Sequence, residues 1–548
     1  MEQAHAAAPA AGQEANRLAD ILSVAVLVTV AAIALVTFRN YGLGWDDYTH
    51  AQYGELLLAF YGSGFSDRRA LSFVNLYFYG GWFDMAAALL AKALPFTLFE
   101  TRRLVGAAVG LIGLAATWRI GRRVAGPIGG LVALALLAAC PLYYGHMFMN
   151  PKDAPFAVAM ALVLLALVRA FEEYPAPRLV TVLLFGASLG LTIGSRVIGV
   201  IALVYAAAGA FVLLAAEGRA LGVRPAATRF ARFVTRLLPG LVLAYVVIAI
   251  AWPWGVIEPL NLVRTLVYFS HFFEKPWHEL FAGVRVRVTE MPRSYVPVLF
   301  ALKMPEAFLA LALPGITLAF ITAARRAHPL PRRAALAMLG LAAVLPIALA
   351  VATRPAMYNS IRHFVFVTPP LAALGGFAGA FAFDWLRRHG SASAVAGTLA
   401  LAAALALPLR GMVRLHPYEY TFYNDASGGV AAARGRYMLD YWGLSLKQAS
   451  EALRAVLARR GEMPPAGRPW KIAVCGPHPA AQVALGPQFL PTWNPQGADF
   501  AMMLGEFYCA RLDAPVLVEI TREGIIYARV YDIRGRTIST LFTMRPVE

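Results

Sequence analysis

The sequence predicts a mainly α-helical, polytopic membrane protein with a small α/β domain after its last span. Three observations carry this. Of 548 residues, 59% are hydrophobic and 15% are charged, with a mean hydropathy of +0.60; a soluble domain carries roughly 25% charged residues. Apolar runs close to the length a bilayer needs recur from Asp20 to Leu409. After Arg410 the pattern changes to Pro/Gly punctuation and short strand-like runs.

Residues 1–18 are Ala-rich and polar, without the basic start and cleavage site of a signal peptide, and are expected to be flexible. Spans are then expected at Asp20–Phe38, Arg103–Trp118, Ile128–Tyr144, Ala154–Ala170, Leu179–Gly194, Val197–Ala215, Leu237–Val256, Glu306–Ala323, Ala334–Ala352, His363–Trp385 and Ala392–Leu409. That is about eleven, since the short runs after Leu179 can be merged. An amphipathic or half-buried segment, Leu76–Leu94, lies between the first two. The membrane region is residues 19–409, with long loops at 39–102 and 257–305. Residues 410–548 form the α/β domain, with strands at Lys471–Cys475, Asp499–Leu504, Val516–Thr521 and Ile525–Tyr531 and an amphipathic helix at Ser445–Arg459. No internal repeat is visible.

Orientation follows from the arginines. The net charge of +18 is concentrated in short loops: Arg119, Arg122 and Arg123; Arg219 to Arg236; Arg325 to Arg333; Arg387 and Arg388. Counting from a cytoplasmic N-terminus puts every cluster in the cytoplasm, as the positive-inside rule requires. The charge therefore does not indicate nucleic acid; its partners are membrane lipids and any anionic lipid substrate. The opposite face receives the long loops and the C-terminal domain. Cys475 and Cys509 can pair if that domain is outside the cytoplasm; Cys140 reads as a packing residue. No Cys/His pattern has zinc spacing.

The outer face gathers the residues that can carry chemistry. Asp46 and Asp47 follow the first span, with His50 and Glu55 nearby. Carboxylates at a membrane edge are candidate catalysts; the plain alternative is a helix start, which acids favour. His146, Asn150, Pro151, Lys152 and Asp153 end one span and begin the next. Asn150 or Asp153 can cap that helix, but capping leaves Lys152, a cation at a positive helix end, unexplained; an anion would explain it. Tyr358, Arg362 and His363 open a late span, and Arg196 lies in a short turn on the same face. Each arginine either snorkels or binds an anion. The loop from Arg264 interleaves His271, Glu274, Lys275, Trp277, His278 and Glu279, as a substrate flap or an interfacial belt. After the last span, Tyr420 and Asp440 sit among aromatics that suit sugar faces or a membrane collar.

Together these residues resemble the GT-C superfamily of integral-membrane glycosyltransferases, in the branch of protein O-mannosyltransferase-like enzymes (family 39), to which the lipid A aminoarabinose transferase is related. The carriers are Trp45-Asp46-Asp47-x-x-His50, Asn150-Pro-Lys-Asp153, Arg362-His363-Phe364 with Pro369-Pro370, and Pro417-Tyr-Glu-Tyr through Leu439-Asp-Tyr-Trp-Gly. The resemblance implies an inverting transfer of a sugar from a polyprenyl-phosphate carrier to a lipid, glycan or protein acceptor, at the periplasmic face of a bacterial inner membrane. It implies Asp46 as base and Asp153 as the second acidic position. Asp47 stands where the mannosyltransferases have glutamate. Lys152, Arg196, Arg362 and His363 are expected at the donor phosphate or lipid, and His50, His146, Asn150, Arg264, Tyr358, Tyr420 and Asp440 at the substrates. The carboxylates Asp46, Asp47 and Asp153 either orient the acceptor or hold a divalent cation; the sequence does not choose. The tail is not the β-trefoil of eukaryotic members, so the acceptor is not transferred. Two rivals are a flippase of lipid-linked sugars, which should show repeated halves, and a membrane-anchored assembly protein whose tail suffices alone.

Overall fold

The computed structural model describes residues 2–270 and 277–543, with side chains from Gln13 onward. His271, Glu274 and Lys275 lie outside the described residues. Among the described residues, nine helical segments are long and apolar enough to cross a membrane.

The first helix, α1 (Glu2–Thr37), extends back through the segment expected to be flexible, where alanines favour helix even without packing. Two short helices follow outside the first span, α2 (Asp47–Gly62) and α3 (Trp82–Ala91). They touch at Gly54, where a Cβ would lie 2.3 Å from the Asp84 carbonyl oxygen. This close approach fixes what faces what between the two helices.

Helix α4 (Leu98–Ala138) contains two predicted spans. Gly126 has φ 77° and is followed by Pro127, and there the helix folds back on itself. A Cβ on Gly121 would meet the Ala133 Cβ at 2.8 Å, whereas twelve residues of straight helix would separate them by about 18 Å. Counting both arms, and the shorter apolar helix Leu179–Ile193, gives eleven apolar helical segments among the described residues, the number expected from the sequence. The first arm starts at Leu98, earlier than the predicted Arg103, because Thr97 and Glu100 form a capping box.

The chain continues through α5 (Pro141–Met149), α6 (Asp153–Glu172), α7 (Leu179–Ile193), α8 (Ile201–Leu221) and α9 (Val223–Ala251). Helices α10 (Pro253–Ile257) and α11 (Asn261–Ser270), the hairpin β1 (His278–Phe281) and β2 (Val284–Arg287), and α12 (Tyr295–Lys303) form the second long loop. Helices α13 (Glu306–Ala324), α14 (Leu330–Thr353), α15 (Thr368–Arg388) and α16 (Ser391–Leu415) complete the membrane region. Helix α15 lies against α4 through small residues: a Cβ on Gly376 would meet the Gly129 carbonyl at 2.2 Å. The last span ends at Leu415, beyond the predicted Leu409, because Arg410 and Arg414 pair with Asp425 and Glu523 at the edge of the following domain.

Ion pairs group the helix ends into two faces. Arg122 meets Asp20, Arg123 meets Glu172 and Arg229 meets Glu217 on the face of the basic loops. The other face brings together the segments after α1, between α5 and α6, after α7 and before α15.

The C-terminal domain begins with α17 (Gly429–Ala433) and α18 (Ser445–Arg460). Its five-stranded sheet has the order β4-β3-β5-β7-β6, from β3 (Trp470–Cys475), β4 (Phe489–Thr492), β5 (Phe500–Leu504), β6 (Val516–Arg522) and β7 (Ile525–Asp532), with α19 (His478–Leu485) linking β3 to β4. β3 runs parallel to β4 and β5; β7 is antiparallel to β5 and β6. The predicted hairpin turn is formed by Glu523 and Gly524, both at positive φ. Cys475 and Cys509 are joined as a disulfide.

Candidate functional site

The site is a cavity of about 930 Å³ between one end of the membrane helices and the C-terminal domain. Trp45, Asp46, His50, Tyr79, Lys152, Trp277, His278, Glu279, Tyr358, Arg362, Tyr441 and Trp442 line it from the membrane side. Trp493, Phe507, Tyr508 and Phe542 come from the domain.

Asp46 is positioned by the loop before α2. The Trp45 N–H donates to the Trp442 carbonyl at 3.2 Å. Gly44 presses so closely on the Trp442 indole that a Cβ there would overlap it. Asp46 Oδ2 then lies 2.8 Å from Lys152 Nζ and 3.9 Å from Arg362 Nη1. Burial alone would raise this carboxyl; Lys152 and Arg362 outweigh it and hold Asp46 well below the ordinary carboxylate range.

Arg362 links the two acidic positions. Its Nη1 is 3.2 Å from Asp153 Oδ2, and Arg196 Nη2 is 2.8 Å from Asp153 Oδ1. The Arg362 guanidinium packs over Tyr358 and Trp442, and Lys152 and Arg196 pack over Tyr79. Arg362 enters this position after two left-handed residues, Asn359 (φ 56°) and Ser360 (φ 61°). Glu279 holds that turn, accepting from the Asn359 N–H at 2.8 Å, the Ser360 N–H at 3.2 Å and the Tyr295 hydroxyl at 3.0 Å. Burial outweighs these donors and pushes the Glu279 carboxyl up to about 7.

Asn150 caps α6, as one reading of the sequence expected: its Oδ1 accepts from the Asp153 N–H at 2.8 Å, and its Nδ2 donates to Asp153 Oδ2 at 2.8 Å. His146 stands behind it, 3.0 Å from Asn150 Nδ2 and 3.1 Å from the Tyr441 hydroxyl. Both are buried supports of Asp153 rather than cavity walls. His363 packs edge-on against Tyr358, outside the cavity lining.

Four expectations change. Asp47 is fully buried and points away from the cavity: its carboxylate takes two 2.8 Å hydrogen bonds from Arg103 and one of 2.7 Å from the Gly44 N–H. Asp440 accepts from the Leu444 and Ser445 N–H groups and from Tyr420, so this pair caps α18 instead of meeting a sugar. Arg264 pairs with Glu258 and Asn261 away from the cavity. Asp46, Asp47 and Asp153 do not converge on one point, because Arg362 and Arg103 separate them. Among the described residues no group of three His, Cys, Asp or Glu side chains is placed to hold a metal ion.

Sequence reasoning missed Arg102, Arg103, Asp84, Tyr79 and the domain's aromatics. Two adjacent arginines opening a span and an aspartate inside the apolar run Trp82–Leu90 were the available signals.

Residues 85–254 match the family model described as dolichyl-phosphate-mannose-protein mannosyltransferase. No protein of curated function matches the chain by sequence. Among solved structures, ArnT from Cupriavidus metallidurans bound to undecaprenyl phosphate is similar at 17% identity, over 93% of this chain and 97% of that one, with a TM-score of 0.47. The same protein in the apo state gives 18%, 95%, 99% and 0.48. The apo Archaeoglobus fulgidus oligosaccharyltransferase gives 14% identity and a TM-score of 0.48, over 87% of this chain and 65% of that one. The match over residues 85–254 makes that part of the chain similar to the mannosyltransferase family, in a protein whose nine long apolar helices among the described residues mark it as multi-pass.

Proposed function

We propose that the enzyme transfers a sugar from a polyprenyl-phosphate carrier to an acceptor hydroxyl on the non-cytoplasmic face, the periplasm of a bacterial inner membrane, with inversion at the anomeric carbon. The observation that carries this is the Asp46–Arg362–Asp153 chain beside Lys152 in the cavity. The donor class follows from the family model, whose members are described as acting on a dolichyl-phosphate sugar.

The chemistry needs two kinds of group. The leaving group is a lipid phosphate, and cations fixed beside it lower the barrier to its departure. Arg362 and Lys152 line the cavity, and Arg196 adjoins them through Asp153. The attacking hydroxyl needs a hydrogen-bond acceptor, and Asp46 is the aspartate in the cavity lining. Asp153, buried between Arg196 and Arg362, aligns the cations and does not meet substrate. Trp45, Trp277, Tyr358, Trp442 and Tyr508 offer stacking faces for a sugar. The lipid, glycan or protein nature of the acceptor is left to experiment.

Purified protein supplied with polyprenyl-phosphate sugars and extracted envelope acceptors tests the reading. Release of polyprenyl phosphate together with a product of inverted configuration is expected. A protein that binds the donor and moves it across a bilayer without cleaving it would be a flippase instead.

A further inference from the structure

Asp46 is poorly suited to keep a proton. Its carboxylate is bound to Lys152 at 2.8 Å with Arg362 nearby, and both cations favour the charged form. A second proton acceptor stands one helical turn away. The His50 N–H donates to the Asp46 carbonyl at 3.0 Å, so both side chains leave α2 on the same face, and His50 also lines the cavity.

The His50 ring is held from behind. Nδ1 is 2.6 Å from Asp84 Oδ2, and the other Asp84 oxygen accepts from Arg102 Nη2 at 2.7 Å. All three side chains are buried. In the tautomer with Nδ1–H donating to Asp84, Nε2 is the acceptor nitrogen, and it has no hydrogen-bond partner among the described residues. The charged groups around the ring are Asp46 on its own helix, Asp84 from α3, Arg102 from α4, and Lys152 and Arg362 across Asp46; the Tyr53 hydroxyl also lies near Asp84. This is the arrangement in which a carboxylate orients a histidine and stabilises it once protonated.

We propose that His50 Nε2 is the final proton acceptor of the transfer, with Asp84 as its positioning residue and Asp46 as the group that orients the attacking hydroxyl. This rests on the glycosyltransferase reading above. The hydroxyl oxygen forms a bond to the anomeric carbon. The bond from that carbon to the carrier phosphate oxygen breaks, and its electron pair leaves with polyprenyl phosphate. The hydroxyl proton moves to Nε2, and the imidazolium, paired with Asp84, returns it to water after product release.

The test compares wild type, His50→Gln and Asp84→Asn for polyprenyl phosphate release between pH 5 and 9, with melting temperature and polyprenyl phosphate binding read alongside. Wild-type kcat is expected to fall on the acid side. His50→Gln should lose about 10²–10⁴-fold in kcat with KM little changed and lose that acid limb. Asp84→Asn keeps the ring in place and should displace the limb with a smaller loss of kcat. Wild-type kcat and pH profile in a folded His50→Gln, or in Asp84→Asn, would overturn the proposal. If wild type releases no polyprenyl phosphate with any donor, both readings fall; if only His50→Gln behaves as wild type, this one falls alone.

Discussion

Arg103 grips Asp47 through two hydrogen bonds of 2.8 Å, in a pocket closed to solvent. That pairing separates two adjacent aspartates into different jobs. Asp47 ties the start of α2 to α4, and the Arg103 guanidinium extends the tie to the Gly42 and Phe148 carbonyls. Asp46, one residue earlier, is left facing the cavity.

The two aspartates should therefore fail differently. Asp47→Asn leaves Arg103 buried beside a neutral partner and should destabilise the protein by about 3–5 kcal/mol. Asp46→Asn should lower the melting temperature less, because Asp46 is partly exposed and its pairing with Lys152 and Arg362 is screened by solvent. Thermal unfolding of the two variants in detergent checks this.

Donor binding should depend on Arg362 and not on Arg264. Arg362→Gln should weaken polyprenyl phosphate binding by about 10–100-fold, the scale of a charged hydrogen bond. Arg264→Ala should leave it unchanged, since Arg264 pairs with Glu258 outside the cavity. Equal effects would show that the phosphate does not reach Arg362.

Stability should fall as pH rises from about 4.5 to 7. Burial raises Glu279 from 4.5 to about 7 and Glu506 from 4.5 to about 8. A carboxyl with a raised folded-state pKa stabilises the fold at pH values below its unfolded pKa and loses that contribution as pH climbs through the folded one. Burial lowers Lys303 from 10.5 to about 7, so its cost is relieved as pH rises from about 7 to 10.5. Melting temperature against pH for wild type and Glu506→Gln reads this out: the variant should gain on wild type from pH 5 to 8, by at most a few kcal/mol.

The disulfide should support the cavity roof. Cys509 follows Phe507 and Tyr508, both of which line the cavity, and its bond to Cys475 closes a chain separation of 34 residues. Cys475→Ser with Cys509→Ser should cost about 3–4 kcal/mol of domain stability. Reductant should lower the melting temperature of wild type and leave the double variant unmoved.

The membrane spans, the hairpin after β6 and the helix from Ser445 were legible in the sequence because hydropathy, Gly placement and periodicity are local. Asp46, Lys152, Arg196 and Arg362 were legible as polar residues at one end of the spans, opposite the arginine loops. Their pairings were not: Arg362 and Asp153 are 209 residues apart. Lys152 had no local explanation, and the structure supplies Asp46 as its partner. Tyr420 and Asp440 misled because a buried helix cap and a sugar platform use the same residue types. Asp84 went unseen because it lies in a short apolar helix and meets His50 only where Gly54 lets α2 and α3 touch.

Asp46, in its cage of Lys152 and Arg362, is the group proposed to meet the attacking hydroxyl in a transfer from a lipid phosphate. Polyprenyl phosphate release by purified wild type and Asp46→Asn, at matched donor occupancy, measures that role most directly. Wild type should release polyprenyl phosphate, and the variant should lose about 10²–10³-fold in kcat with donor binding retained. Full turnover by a folded Asp46→Asn would contradict it.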